Sequence, residues 1–280
     1  MKYILTLSCK DQVGIVSRIA SFLGEKDANI IDSHQFGDPV SKRFFMRVLF
    51  VKESFDLNDF SHDFNPIAQS LGADWEIHTA TDKMKAVILV SKQGHCLIDL
   101  LHRSKTGSLP IQIEAIVSNH PDLKEMAAWY KVPFHHFPVT PETKPEQEKK
   151  ILDLIGEKNA HLVVLARYMQ ILSPFLTEQL QGKAINIHHS FLPSFKGAKP
   201  YHQAYERGVK LVGATAHYVT SDLDEGPIIE QRVERVTHTD TPEQLVSLGQ
   251  DVESQVLLQA IHFHAEHRVF INGNKTVIFR

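Results

Sequence analysis

At 280 residues the chain is too long for one small module and fits two domains of roughly 100–200 residues each. A net charge of −3, from 30 Lys and Arg against 33 Asp and Glu, provides no broad cationic face for nucleic acid or an anionic membrane surface. With 42% hydrophobic residues and no like-charge block the chain reads as globular, and its two cysteines rule out a disulfide framework and point to a reducing, cytoplasmic setting.

Residues 3–8 are rich in Ile, Leu and Thr and predict a first strand, with an apolar run too short for a secretory signal. A turn at Lys10-Asp11-Gln12-Val13-Gly14 follows. Val13, Val16, Ile19, Ala20 and Leu23 then predict a helix over 14–26 that lays one apolar stripe on a sheet, with Asp11 as its cap. Strands are predicted over 29–36 and 44–51, joined as a hairpin around Gly37-Asp38-Pro39. Phe60, Phe64, Ile67 and Leu71 share a second helical face, and 75–79 alternates as a closing strand. The resulting βαββαβ order is the ferredoxin-like unit, an antiparallel sheet with two helices on one face. A polar linker at 80–85 divides a first domain, 1–82, from a second, 83–280.

From Ala86 short apolar runs alternate with helical segments, the pattern of a Rossmann-like α/β domain with a mostly parallel sheet. Strands are predicted over 86–90, 111–117, 134–137, 162–165, 184–187, 212–219 and 228–236. Helices are predicted over 97–103, 123–130, 145–158, 174–180 and 242–267, the last with Pro242 at its start. No dinucleotide or triphosphate loop follows any strand; the first crossover carries Lys92-Gln93-Gly94-His95-Cys96, with one glycine. Cys96 is expected to be a packed cysteine. No run approaches the ~18 apolar residues of a membrane span.

Histidine is abundant, at 17 residues, so its neighbours must select the ones that act. In Ile185-Asn186-Ile187-His188-His189-Ser190-Phe191-Leu192-Pro193, Asn186 and His188 alternate on one face at the end of a buried strand, where open α/β sheets bind ligands. In the stretch from His217 to Ile229 a strand runs into a loop holding Asp222, Asp224 and Glu225, then Gly226-Pro227, and an acid there can reach a histidine on a neighbouring strand. An Asn, a His and an Asp suit hydrolysis or transfer of an acyl group from nitrogen. Asn and His stabilise the oxyanion or move a proton, while Asp holds the His and orients water. Taken singly, Asn186 also fits a turn, His188 a hydrogen-bonded core and Asp224 a turn acid. His135-His136 point to opposite faces of a strand, and of His262, His264 and His267 only the last two share a helix face, so no metal is expected. His189 is expected to support His188 from behind.

At these residues the chain resembles the folate-dependent formyltransferase family, whose motif is Asn-x-His followed by Ser-x-Leu-Pro and a downstream Asp-x-Gly-Pro. The likeness spans about 85–268 and includes Val163-Val164-Leu165-Ala166-Arg167-Tyr168-Met169-Gln170-Ile171-Leu172-Ser173. It implies a formyltransferase-type fold, with Asn186, His188 and Asp224 as catalytic residues. It also implies folate contacts at Leu165, Met169, Gln170, Leu172, Val219, Thr220 and Ser221. Members acting on glycinamide ribonucleotide carry Gly-x-Gly-Ser-Asn after the first strand and a proline at the position of His189; this chain departs at both.

The N-terminal unit, with Asp11-x-x-Gly14-Ile15-Val16, resembles an ACT domain, a regulatory amino-acid-binding module. The combination resembles, over essentially the whole chain, the hydrolytic branch of the family, in which water takes the formyl group of 10-formyltetrahydrofolate. This implies formate and tetrahydrofolate as products, formate supply for purine biosynthesis, balanced one-carbon pools, and no permanently bound cofactor. It also implies an amino-acid effector, glycine or methionine, at Asp11, Gly14, Ile15, Asn29 and Ile30, and a homo-oligomer. The alternatives are formyl transfer to another amine, or an amino-acid or folate sensor with an idle site. Neither nucleic acid nor a membrane is an expected partner.

Overall fold

The computed structural model describes residues 1–53, 56–192 and 200–280. Contacts divide the chain into one unit of 1–82 with 266–272 and 277–280, and another of 83–265 with 273–276.

In the first unit β1 (Lys2–Lys10), α1 (Ile15–Glu25), β2 (Asn29–Asp38), β3 (Arg43–Val51), α2 (Leu57–Leu71) and β4 (Asp74–Thr79) follow the βαββαβ order. The sheet runs β2-β3-β1-β4 with every pair antiparallel. Alternate residues of β1 (Tyr3, Leu5, Leu7, Cys9) and of β3 (Phe44, Met46, Val48, Phe50) enter one core with Ile19, Leu23, Phe60 and Phe64 of the helices.

Two expectations for α1 need correction. The helix starts at Ile15 after Gly14, which has φ 92° and offers no side-chain cap, so Asp11 does not cap it. Asp11 instead lies against Gly37, where an added Cβ would come within 2.9 Å of its Oδ2. The buried face is Ile15, Ile19, Phe22 and Leu23, while Val13, Val16 and Ala20 are exposed. Val13 precedes the first turn, and Val16 and Ala20 each sit one residue, about 100°, round from the face that meets the sheet. No predicted strand corresponds to β12 (Val269–Asn272) and β13 (Lys275–Ile278), a two-stranded ribbon whose Phe270 packs 5.6 Å from Phe45. Four-residue strands are too short to declare a period.

The second unit contains β5 (Met84–Val90), α3 (His95–Thr106), β6 (Ile111–Ser118), α4 (Lys124–Trp129), β7 (Phe134–His136), α5 (Lys144–Glu157) and β8 (Leu162–Leu165). It continues through α6 (Pro174–Gln179), β9 (Ala184–His188), α7 (Pro200–Glu206), β10 (Leu211–Tyr218), β11 (Ile228–Arg235) and α8 (Pro242–Ala265). Of these, α7 was not read from the sequence. The sheet order is β11-β10-β9-β8-β5-β6-β7, parallel from β9 to β7, with β10 and β11 added antiparallel. Ala86–Val90 is fully buried, as a strand covered on both faces must be, which is why it reads as an unbroken apolar run. Among the described residues no helix is long and apolar enough to cross a membrane.

One topological fact positions the site. The chain enters at β5, walks out to β6 and β7, then returns past β5 to β8, so the strand order reverses between β5 and β8. In open α/β sheets ligands bind at such a reversal, beyond the carboxyl ends of the strands.

Candidate active site

Asn186 and His188 lie two residues apart at the end of β9 and therefore share a face. Antiparallel β10 sets His217 opposite Asn186 and Thr215 opposite His188. Asn186 Nδ2 is 3.2 Å from His217 Nε2, and His217 Nδ1 is 2.9 Å from the Tyr218 carbonyl. With Nδ1–H donated to that carbonyl, Nε2 accepts from the Asn186 amide and fixes which way it points.

The loop after β10 returns Asp224 to the same place. Its Oδ2 is 3.2 Å from His188 Nδ1, and its Oδ1 is 3.6 Å from His217 Nε2. The loop can take this path because Asp224 adopts a left-handed backbone, φ 59°, and because residue 226 is glycine. A Cβ on Gly226 would sit 1.7 Å from the Tyr218 carbonyl oxygen. Burial alone would raise the Asp224 carboxyl; the hydrogen bond from His188 Nδ1 and the neighbouring imidazole of His217 outweigh it and hold the group well below the usual carboxylate range. His188 is 8% exposed, and among the described residues its buried Nε2 has no hydrogen-bond partner. Such an orphaned nitrogen is a standing desolvation cost that a substrate atom would relieve.

These residues line a cavity of about 340 Å³. The loop after β8 contributes Leu165, Met169, Gln170 and Leu172 to the same wall, and the loop after β10 contributes Val219, Thr220 and Ser221. The first loop is tied down at several points. Ser91 Oγ accepts from Met169 N at 2.9 Å, Gln147 donates to the Tyr168 hydroxyl at 2.6 Å, and buried Glu148 accepts from Ser173 N at 2.8 Å. Thr215 Oγ1 donates to the Ser190 carbonyl at 3.0 Å and accepts from Leu192 N at 3.1 Å; Pro193, which closes the Ser-x-Leu-Pro motif, lies outside the described residues.

His189 lines the cavity rather than standing behind His188. Because β9 ends at His188, the turn has begun and strand alternation no longer sends the next side chain away. Its ring meets that of His188 edge-on at 4.7 Å. Burial first, then the charges of Arg167 and His188, pull its pKa down to about 4. Two further lining residues, His217 and Arg167, were not singled out from the sequence. The strand period that paired Asn186 with His188 could have flagged His217; nothing local flags Arg167.

Among the described residues two groups of side chains bring possible metal-ligand atoms together. In Glu76, His78 and His267 the two rings stack 3.5 Å apart at 8°, so their in-plane lone pairs do not converge on one ion. In His95, Cys96 and Glu253 the carboxylate is already engaged by His95 at 2.8 Å and by the Tyr201 hydroxyl at 2.7 Å, with Arg167 Nε at 3.4 Å. Cys96 is 1% exposed, and burial pushes its thiol far up, away from the thiolate a metal needs. Among the candidate effector residues of the first unit, Asp11, Gly14 and Asn29 are exposed, Ile30 packs partly against the core, and Ile15, at 2%, is committed to it.

With that geometry in view, comparison with known proteins is specific. A family model described as formyl transferase matches residues 84–261, and one described as ACT domain matches 3–58. The formyltetrahydrofolate deformylase of Corynebacterium sp. (strain P-1) is 50% identical over 282 residues, covering 100% of this chain and 99% of that protein. That of Bacillus subtilis (strain 168) is 44% identical over 280 residues, covering 98% and 93%. The crystal structure of formyltetrahydrofolate deformylase from Burkholderia mallei superposes with a TM-score of 0.96 at 50% identity, covering 100% of this chain and 99% of that one.

Proposed function

The chain belongs to the formyl transferase family, among the formyltetrahydrofolate deformylases, and on that premise we propose that it hydrolyses 10-formyltetrahydrofolate to formate and tetrahydrofolate through Asn186, His188 and Asp224. The observation that carries this assignment of residues is the orphaned Nε2 of His188, whose other ring nitrogen is held by Asp224 at 3.2 Å. In its charged form the imidazole has donors on both nitrogens, one spent on Asp224 and one free for the formyl oxygen.

In the proposed reaction the folate lies against Leu165, Met169, Gln170, Leu172 and Val219–Ser221, with its formyl group toward β9. Water adds to the formyl carbon, and the Asn186 amide and His188 Nε2–H stabilise the oxygen that becomes negative. The ionised carboxylate of Asp224 orients the attacking water and accepts its hydrogen bond. As the carbon–N10 bond breaks, a proton passes to N10 by way of His188 or water, leaving tetrahydrofolate and formate. Neutral His189 borders the site without adding charge.

For the N-terminal unit, the ACT match supports binding of a small amino acid, glycine or methionine, around Asp11, Gly14, Ile15, Asn29 and Ile30, with Ile15 contributing through its backbone. The edge strands of that sheet favour a homo-oligomer. The setting is cytoplasmic, and formate for purine biosynthesis is the use the product suits. The deciding experiment is acceptor-free turnover: purified protein with 10-formyltetrahydrofolate and no amine. Formate release supports hydrolysis; substrate left intact would leave only a transferase or a sensor.

A further inference from the structure

Arg167 lines this cavity, and the proposed hydrolysis does not use it. It adopts φ 64°, a left-handed backbone that favours glycine, although it carries a long cationic side chain. It stands directly after the Ala166 that follows β8, its carbonyl accepts from Ser91 N beyond the end of β5, and its Nε donates to Gln93 at 2.9 Å. The side chain therefore lies across the crevice between β5 and β8, where the strand order reverses and a ligand is expected. It is 10% exposed and braced from below by Glu253 of α8, at 3.4 Å, whose carboxylate is 1% exposed and also held by His95 and Tyr201. Three separate segments thus converge to hold one strained arginine in place.

Once the proposed folate contacts and the Asn186–His188–Asp224 centre are set aside, the polar lining that remains is Arg167, Tyr168, Thr177, His189, His217 and Asp222, and of these Arg167 is tied to Gln93 in the loop after β5. None of the proposed folate contacts lies on that loop, which leaves its side of the cavity for a second organic substrate. We propose that Arg167, braced by Glu253, His95, Tyr201 and Gln93, fills the second-substrate side of the cavity and so determines that water, not an amine, takes the formyl group. The arginine acts by occupying space and by placing a fixed positive charge where a cationic amine would enter, while its ion pair consumes the Glu253 carboxylate that would otherwise attract one. Water needs neither the space nor the charge. Arg167 is thus a specificity-determining residue, and the inference rests on the hydrolytic reading above.

Were the wall opened, the amine nitrogen would bond to the formyl carbon, the carbon–N10 bond would break, and one amine proton would pass to N10. A formamide and tetrahydrofolate would form with nothing oxidised or reduced. Arg167→Gly is the direct test, because glycine accepts φ 64° without strain and the variant keeps the loop path. Full-length wild type and variant are given 10-formyltetrahydrofolate with glycinamide, and formate and N-formylglycinamide are quantified by mass spectrometry. Wild type should yield formate almost alone, and Arg167→Gly should raise the ratio of N-formylglycinamide to formate about tenfold or more. Glu253→Gln keeps the side chain's shape while cutting the brace, and should shift the ratio in the same direction. Formate release at the wild-type product ratio in both variants would overturn the inference and leave the hydrolytic reading intact. Failure of wild type to release formate without amine would remove both.

Discussion

Asn186 Nδ2 and His217 Nε2 stand 3.2 Å apart as register partners across β9 and β10, so the orientation of the amide proposed to meet the oxyanion is set by the next strand. His217→Phe should keep the ring's volume and lose the acceptor, leaving the amide free to turn. We expect kcat for formate release to fall about 10–100-fold with KM little changed, against about 10²–10³-fold for Asn186→Ala. Equal KM and kcat effects in His217→Phe would point to a packing role instead.

Asp224→Asn should lower kcat by about 10²–10⁴-fold, because the amide neither accepts the His188 proton as strongly nor orients water as a charge does. Full formate release by this variant would remove the aspartate from the mechanism. The carboxyl is depressed in the folded protein, so its stabilising effect is present above the unfolded value of roughly 4 and is lost as pH falls through the depressed folded value. Urea denaturation should therefore show wild type's advantage over Asp224→Asn undiminished from pH 7 to about 5 and shrinking below about 4.

His189 shows linkage of the same sign in a higher pH window. Its pKa is about 4 when folded, below the unfolded value of roughly 6.5, so the unfolded chain binds more protons between those limits. Folding stability should decline as pH falls through that window, by about 1–3 kcal/mol more in wild type than in His189→Gln. Parallel pH dependence in the two proteins would show that the ring titrates normally.

Gly226→Ala forces a Cβ to 1.7 Å from the Tyr218 carbonyl, so the loop carrying Asp224 must move. We expect destabilisation of about 2–4 kcal/mol by thermal unfolding, together with a loss of kcat approaching that of Asp224→Asn. Unchanged kcat would mean that the loop can carry Asp224 by another path.

For the first unit, calorimetric titration with glycine and with methionine should give heat from one of them, abolished or weakened about tenfold by Asp11→Ala. No heat from either would remove both candidate effectors.

Much of this protein follows from local pattern. The βαββαβ unit, the strands and helices of the parallel sheet, and the pairing of Asn186 with His188 on one face all come from periods of 2 and 3.6 residues, which the backbone imposes on any chain. Local pattern failed where a few residues decide the outcome. Asp11 looks like a cap but meets Gly37, and the ribbon of β12 and β13 is too short to show a period. His189 joins the cavity because a strand stops one residue earlier.

By itself, the sequence determined the kind of elements, their order and the residue types available for acyl chemistry, because these depend on neighbours along the chain. Only the tertiary structure decided that His217 would stand against Asn186, and that Glu253, 86 positions along the numbering from Arg167, would brace it across the β5–β8 crevice. Hydrogen bonds and ion pairs act over about 3–4 Å of space. Sequence distance carries no information about which groups meet at that range until the sheet order is known.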